Sequence, residues 1–385
     1  MSAPPIFVAA FSAACALGAD NAAIAANLFA AEPRRINGVA KLSDGRAVPV
    51  GRLPFELKAA PGETRTNRIL AHCYERIAND VAAVREACGA DRFGVVMGTS
   101  TSGIGESTAA IRLKLTEDRW PPGFSIRTHQ LGEVSAFAAE LAGAQGPRYT
   151  VSTACTSGAR AIASGARLMR AGLCDAVLCG GVDSLCDLTL DGFASLESLS
   201  EEPCNPMSLN RRGISIGEGG ALFLLTREPG AHRLAGWGES SDSHHVSAPD
   251  PSGKGAELAL RKALAMAGAE ARAIDFVHLH GTATRLNDAM EAGVVHRLFG
   301  AETPASSTKP MTGHMLGAAG AMQAAICLMA INEGRVPPHL WDGVRDPDLP
   351  ALNLAAPGAR AEIKMAASAS YAFGGNNAAL ILAAA

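Results

Sequence analysis

The stretch "VSTACTSGARAIASGARLMRAG", Val151–Gly172, opens like a buried strand and closes like a helix, with Cys155 at the joint. Hydroxyl residues surround the thiol, and Gly158 follows three positions later. An apolar run that turns within a few residues into a helical pattern is half of a strand–helix–strand unit. The N-terminus of a helix carries unpaired N–H groups and roughly half a positive charge. A thiol there is expected to have a lowered pKa, and the same N–H groups suit an oxyanion. Buried structural cysteines are common, so the rest of the chain must decide.

The same grammar recurs outward from this joint. Apolar runs predict strands at Ile6–Phe11, Phe93–Met97, Tyr149–Ser152, Ala176–Cys179 and Ala221–Leu225. Others are predicted at Phe276–Leu279, Ala305–Ser307, Ala367–Ser370 and Ala379–Leu382. Ala-rich helical patterns fall at Asn67–Cys88, Leu131–Ala142, Gly158–Ala171, Gly255–Ala267, Asp288–Phe299 and Ala318–Asn332. Alternating strands and helices imply an α/β fold with sheets covered on both faces. The Pro-Gly in "REPGAHRLAG", Arg227–Gly236, predicts a join between two halves, residues 1–230 and 231–385.

At 385 residues, with 48% hydrophobic and 18% charged, the chain is long enough for two domains and too apolar to be disordered. A net charge of -3 gives no global basic field, which argues against nucleic acid. "IFVAAFSAACALGAD" has the texture of a secretory h-region, but no Lys or Arg precedes Arg34, so a first core strand is expected. "AAGAMQAAICLMAI", interrupted by Gln323, is too short for a membrane span. Nine cysteines without a C-x-x-C pair disfavour both disulfides and a zinc ribbon, and reduced thiols fit a cytoplasmic location.

Three further stretches carry chemistry. In "VHLHGTATRLNDAMEAG", Val277–Gly293, His280 ends an apolar strand, where open α/β sheets place their ligands. Thr282 and Thr284 follow, and Asp288 and Glu291 begin a helix. His278, two residues earlier, reads as a core histidine, since nothing at ligand spacing completes a metal set. In "SSTKPMTGHMLGAAGAMQAA", Ser306–Ala325, Lys309 and His314 sit on a Gly-punctuated loop before a small-residue helix. In "SYAFGGNNAAL", Ser370–Leu380, Phe373 stands before two glycines.

Together with "GTSTSG" (Gly98–Gly103) and "GISIGEGGALFLL" (Gly213–Leu225), these motifs resemble, in order, those of elongating β-ketoacyl-acyl carrier protein synthases of the thiolase superfamily. The resemblance implies a five-layer αβαβα sandwich of two similar halves, with strand ends of both meeting at Cys155. It implies an acyl-accepting nucleophile at Cys155 and paired histidines, His280 and His314, that bind the malonyl thioester carbonyl during decarboxylation. Lys309 would order the site, and Phe373 would gate it, its neighbouring backbone N–H joining that of Cys155 in an oxyanion hole. Thr282 and Thr284 would bond the phosphopantetheine arm of an acyl carrier protein. No metal and no further cofactor is implied. The family pairs its subunits, as homodimers or as heterodimers with a related chain, and the apolar run Ala176–Cys179 and the segment near Cys155 are the expected contact. An acidic carrier needs a local cationic rim, for which Arg65, Arg68, Arg211 and Arg212 are candidates. Phe124, Phe137 and Phe193 are candidates for lining the acyl pocket.

Departures from the pattern are informative. The usual Pro-Phe-Asp-x-x-Arg-Asp-Gly run is "PMSLNRRG" (Pro206–Gly213), Gln323 stands where many members have Glu, and "FGFGG" is "YAFGG". These features are more similar to synthases of dedicated pathways, such as aryl-polyene pigment assembly, than to housekeeping fatty-acid enzymes. The alternative of a non-catalytic chain-length partner is disfavoured by Cys155. A Cys–His acyl hydrolase would have no need of Lys309 and a second histidine.

Overall fold

The computed structural model describes residues 4–36, 38–58 and 63–385. The first half contains β1 (Phe7–Ala14), α1 (Asn21–Leu28), the hairpin β2 (Gly38–Lys41) and β3 (Ala47–Val50), α2 (Arg65–Tyr74) and α3 (Ala78–Cys88). It continues with β4 (Phe93–Gly98), α4 (Ile104–Glu117), α5 (Glu133–Ala142), β5 (Arg148–Val151), α6 (Ser157–Arg170), β6 (Ala176–Asp183), α7 (Asp187–Ser195) and β7 (Gly219–Thr226). The second half runs through β8 (His232–Ser241), α8 (Lys254–Ala267), β9 (Phe276–His278), α9 (Arg285–Phe299), β10 (Pro304–Ser306) and α10 (Lys309–Thr312). It ends with α11 (Ala319–Glu333), β11 (Asn353–Leu354), β12 (Met365–Ala372) and β13 (Asn376–Ala384).

The two halves repeat one topology. In the first, the strands lie in the order β5-β4-β6-β7-β1; in the second, the order is β10-β9-β12-β13-β8, with β11 added at the edge. Each is third–second–fourth–fifth–first, with the fifth strand antiparallel to both neighbours. Short antiparallel pairing of β1 with β8, at Phe7↔Arg233 and Val8↔His232, joins them edge to edge. Helices α2 and α5 cover the outer face of the first sheet, α8 and α9 that of the second, and α6 and α11 lie between. This gives the expected five layers.

The middle layer depends on small side chains. A Cβ on Gly158 would lie 2.9 Å from the Ala321 backbone nitrogen, and one on Gly320 would lie 2.9 Å from that of Ala159. Helices α6 and α11 therefore touch backbone to backbone, which explains the Gly and Ala spacing of both motifs. Between two apolar sheets, α11 has no face to leave in water, and every residue from Ala319 to Ala330 is buried. The run Leu316–Glu333 is long and apolar enough to cross a membrane, but 83% of it is enclosed by the fold.

Several expectations need correction. The predicted helix Asn67–Cys88 is two helices, because residues 75–77 between α2 and α3 leave the helical path. The join is shorter than predicted: β8 begins at His232, so half of the Arg227–Gly236 segment is strand. The apolar run Ala176–Cys179 cannot meet a partner subunit, since β6 is an interior strand with all eight residues buried. The exposed edge of the first sheet is β5, just before the Cys155 joint, where Arg148 and Tyr149 face solvent.

Gly320→Val should force α6 and α11 apart. Overpacking typically costs about 1–3 kcal/mol, and backbone atoms on the far side cannot yield as a side chain would. Urea denaturation is expected to show a loss at or above that range, whereas Gly300→Val, which meets nothing within 4 Å but has φ +77, should cost backbone strain alone.

Candidate active site

The joint after β5 is a sharp elbow. Ala154 adopts φ +51, a left-handed value that is costly for a non-glycine residue. Two hydroxyls hold it there. Ser157 Oγ accepts from the Thr153 N–H at 2.9 Å and donates to the Ala154 carbonyl at 2.6 Å, and Thr156 Oγ1 donates to the Thr153 carbonyl at 2.7 Å. The hydroxyl-rich sequence around the thiol is thus the scaffold of the turn.

His314 approaches from the other half. Its N–H donates to the Ser215 carbonyl at 2.7 Å, and its carbonyl accepts from the Gly217 N–H at 2.9 Å, so "GISIGEGG" fixes the backbone that carries it. Its Nε2 lies 3.1 Å from Cys155 Sγ, and its buried Nδ1 has no hydrogen-bond partner among the described residues. His280 stands nearly perpendicular, ring centroids 5.3 Å apart at 89°. The Glu291 carboxylate holds the segment by accepting from the N–H groups of His280 at 2.6 Å and Gly281 at 2.7 Å. Lys309 Nζ donates to the His280 carbonyl and lies 3.5 Å from its Nδ1. An ammonium only donates, so it favours the tautomer with the His280 proton on Nε2.

Burial governs the titration of all these groups. It holds both imidazoles well below the usual histidine range, with the Lys309 charge adding to the effect, so they stay neutral. It pulls Lys309 down and pushes Glu291 up, each partly restored by the other's charge. The Cys155 thiol is pushed up to about 12 by burial, against the pull of Lys309. The direction is opposite to the lowering expected at a helix terminus, because desolvation of the closed site outweighs the Lys309 charge and the backbone N–H. His314 Nε2, in hydrogen-bond contact, is the group placed to take the proton.

His278 is the core residue it was expected to be, bonded to Thr308 Oγ1 at 3.1 Å and the Leu279 carbonyl at 3.0 Å. Behind the site, Asp183 accepts from the side chains of Thr99 and Thr101, from the N–H groups of Ser100 and Thr101, and from that of Ala318 at the start of α11. This carboxylate, which explains "GTSTSG", ties the halves together and was missed in the sequence. Its signal was a lone acid ending an apolar strand. Gln323 is explained as well: its amide donates to the Leu279 and Ala369 carbonyls at 3.3 and 2.8 Å, where an ionised Glu would face two oxygens.

A chamber of about 290 Å³ opens over Cys155, His280 and His314. Phe193, Leu196, Ile214 and Tyr371 form its apolar wall, while Thr282 and Thr284, their hydroxyls 3.0 Å apart, also line it. Phe373 begins the turn between β12 and β13, where Gly374 and Gly375 have φ +80 and +71. Its ring packs on Phe193, centroids 5.6 Å apart.

Residues 64–231 and 232–341 match the families described as "Beta-ketoacyl synthase, N-terminal domain" and "Beta-ketoacyl synthase, C-terminal domain". The chain belongs to the β-ketoacyl synthase family. It is 38% identical over 259 residues to 3-oxoacyl-[acyl-carrier-protein] synthase 2 of Rhizobium meliloti, a match covering 62% of this chain and 61% of the relative. It is 32% identical to the Synechocystis protein of the same name, covering 78% of this chain and 77% of that one. Among solved structures, it resembles a chain of the ketosynthase ApeO in complex with its chain length factor ApeC from Xenorhabdus doucetiae. That match has a TM-score of 0.95 and 40% identity, covering 99% of this chain and 98% of that one.

In this member of the family the candidate docking arginines separate. Arg211 is buried and pairs with Asp346 at 2.5 Å, anchoring the "PMSLNRRG" loop, so it has no place on a docking rim. Arg65 is committed to the fully buried Glu218 through two bonds of 2.7 and 2.5 Å. Arg68 is half-buried and Arg212 is exposed. Of the candidate aromatics, only Phe193 lines the chamber. Phe124 stacks on Trp120 at 4.4 Å, and Phe137, on α5, packs partly buried against the first half's core. The sulfur of Cys155 and the nitrogens of His280 and His314 lie within 4.8 Å of one another, a spacing that a soft cation would accept, with the Lys309 charge opposing it.

Alkylation of Cys155 by iodoacetamide should therefore accelerate steadily between pH 6 and 9, as expected for a thiol titrating above that window. Thiolate trapping followed by mass is the check; a plateau below pH 7 would instead reveal a preformed thiolate. His314→Ala should slow the reaction at pH 7 by removing the proton acceptor.

Proposed function

We propose that this protein catalyses decarboxylative Claisen condensation between an acyl group held on Cys155 and a malonyl group delivered on an acyl carrier protein. The observation that carries this is one buried thiol facing two neutral, mutually perpendicular imidazoles contributed by the opposite half. A hydrolase needs only one of them. In the first half-reaction, the thiol passes its proton to His314 and attacks the carrier thioester. The C–S bond of the carrier breaks and its thiol leaves, taking the proton. In the second, the malonyl C–CO2 bond breaks and its electron pair moves onto the thioester oxygen. His280 donates its Nε2–H to that enolate, and His314 donates beside it once its proton has shifted from Nδ1 to Nε2. The enolate carbon then attacks the acyl-Cys155 carbonyl and the C–S bond to Cys155 breaks; the departing thiolate takes up one proton from water by way of His314, replacing the one that left with the carrier thiol. Backbone N–H groups at Cys155 and Phe373 are assigned to the intervening oxyanion.

Lys309 and Glu291 position His280 from behind. The Thr282 and Thr284 hydroxyls receive the phosphopantetheine arm, and no further cofactor is called on. The acidic carrier docks by charge on Arg212 and Arg68. The 40% identity to a chain from a ketosynthase–chain length factor complex supports pairing with a related, non-identical chain and a dedicated pathway, and nine thiols suit the cytoplasm.

The half-reactions should separate. Cys155→Ala should abolish acylation and condensation, while CO2 release from malonyl carrier protein persists. His280→Ala should still accept an acyl group but lose decarboxylation by about 10²–10³, the usual effect of one lost donor to a developing oxyanion. Labelled CO2 and acyl-enzyme mass, followed in parallel, test both. Decarboxylation that vanishes with Cys155, or free acid as the product, would make the site a hydrolase. Arg212→Glu should raise KM for carrier-bound substrate, more at low salt, and leave a small pantetheine thioester unaffected. Arg211→Glu should instead lower stability, because Asp346 would lose its buried partner.

A further inference from the structure

The wall of the chamber holds a buried hydroxyl that neither the mechanism nor the fold employs. Tyr371 is the penultimate residue of β12, and its side chain is 4% exposed. Its hydroxyl is buried and has no hydrogen-bond partner among the described residues. Its ring stands edge-on to His280, with centroids 5.8 Å apart at 82°, and lines the same chamber as Cys155 and His314. Burial and the charges of Glu291 and Asp242 hold the phenol well above its ordinary range, so it keeps its proton and remains a donor. An unpartnered buried hydroxyl is a net cost to folding, and Phe would fill the same space without it. Other unpartnered hydroxyls, those of Ser368 and Ser370 on the same strand, do not line this chamber.

We propose that the Tyr371 hydroxyl is a third hydrogen-bond donor of the chamber, placed beside His280 to bind an oxygen atom of the malonyl group. Tyr371 is then a catalytic residue for the second half-reaction and idle in the first, which runs between Cys155 and His314. The assignment rests on the condensation described above. It requires no covalent step and no proton transfer by the phenol: the hydrogen bond forms when the malonyl group enters and is released with the product.

Tyr371→Phe removes a single oxygen atom and tests the assignment directly. Three quantities are followed in the full-length protein: the melting temperature, the rate of Cys155 acylation from an acyl carrier protein, and the rate of CO2 release from malonyl carrier protein. The variant is expected to melt at the same or a higher temperature and to acylate within twofold of the parent. CO2 release at subsaturating malonyl carrier should fall about tenfold, the loss typical of one hydrogen bond to a charged partner. Unchanged CO2 release would overturn the proposal. So would a lower melting temperature with both rates reduced together, which would make the hydroxyl a structural group. A parent protein that acylates but never releases CO2 would overturn the condensation itself, and that result is read before the variant is compared.

Discussion

Everything at the site follows from the distance of closest approach between α6 and α11. Cys155 is fixed by the elbow that starts α6, and His314 by the loop that leads into α11. Neither is anchored to the other; they meet at 3.1 Å because the helices behind them touch through Gly158, Ala159, Gly320 and Ala321. Asp183 fixes the remaining freedom, since it binds both the loop after β4 and the first turn leading into α11. A side chain larger than alanine in that contact would move the sulfur away from its base before it changed any catalytic group.

Burial of this site is also the origin of its chemistry. In water, an imidazole near pH 6 would be largely protonated, and a lysine and a glutamate would both be charged without consequence. Enclosed here, the two histidines remain neutral, and Lys309 and Glu291 are confined behind His280, where they fix its orientation. The same enclosure suppresses the thiolate of Cys155. Reactivity is therefore tied to transfer to His314 and to what enters the chamber, and the resting protein is shielded from adventitious electrophiles.

Much of this was legible in the chain because it rests on local rules. Strands β4, β5, β6, β7, β9, β12 and β13 are apolar runs bounded by glycine or polar turns. The catalytic residues stand where those runs end, so position and chemistry point the same way. What was not legible depends on distant contacts. The break between α2 and α3 has no proline or glycine to mark it. Helix α4 spreads its apolar residues around its circumference, α7 has only nine residues, and the β2–β3 hairpin is only four residues on each side. Arg65 and Arg211 looked alike as surface cations; only the fold discloses that Glu218 and Asp346 await them. Tyr371 was visible as a departure from "FGFGG", but its hydroxyl acquires meaning from a histidine 91 positions earlier in the chain.

The repeated third–second–fourth–fifth–first topology has one more consequence. Cys155 lies beyond the third strand of the first half and His314 beyond the third strand of the second, so the two reacting groups occupy corresponding stations of a pseudo-dyad. A homodimer with a site on its twofold axis must place the same residue on either side of it. Carrying both copies in one polypeptide lifts that restriction, letting one station specialise as the electrophile's anchor and the other as its proton acceptor.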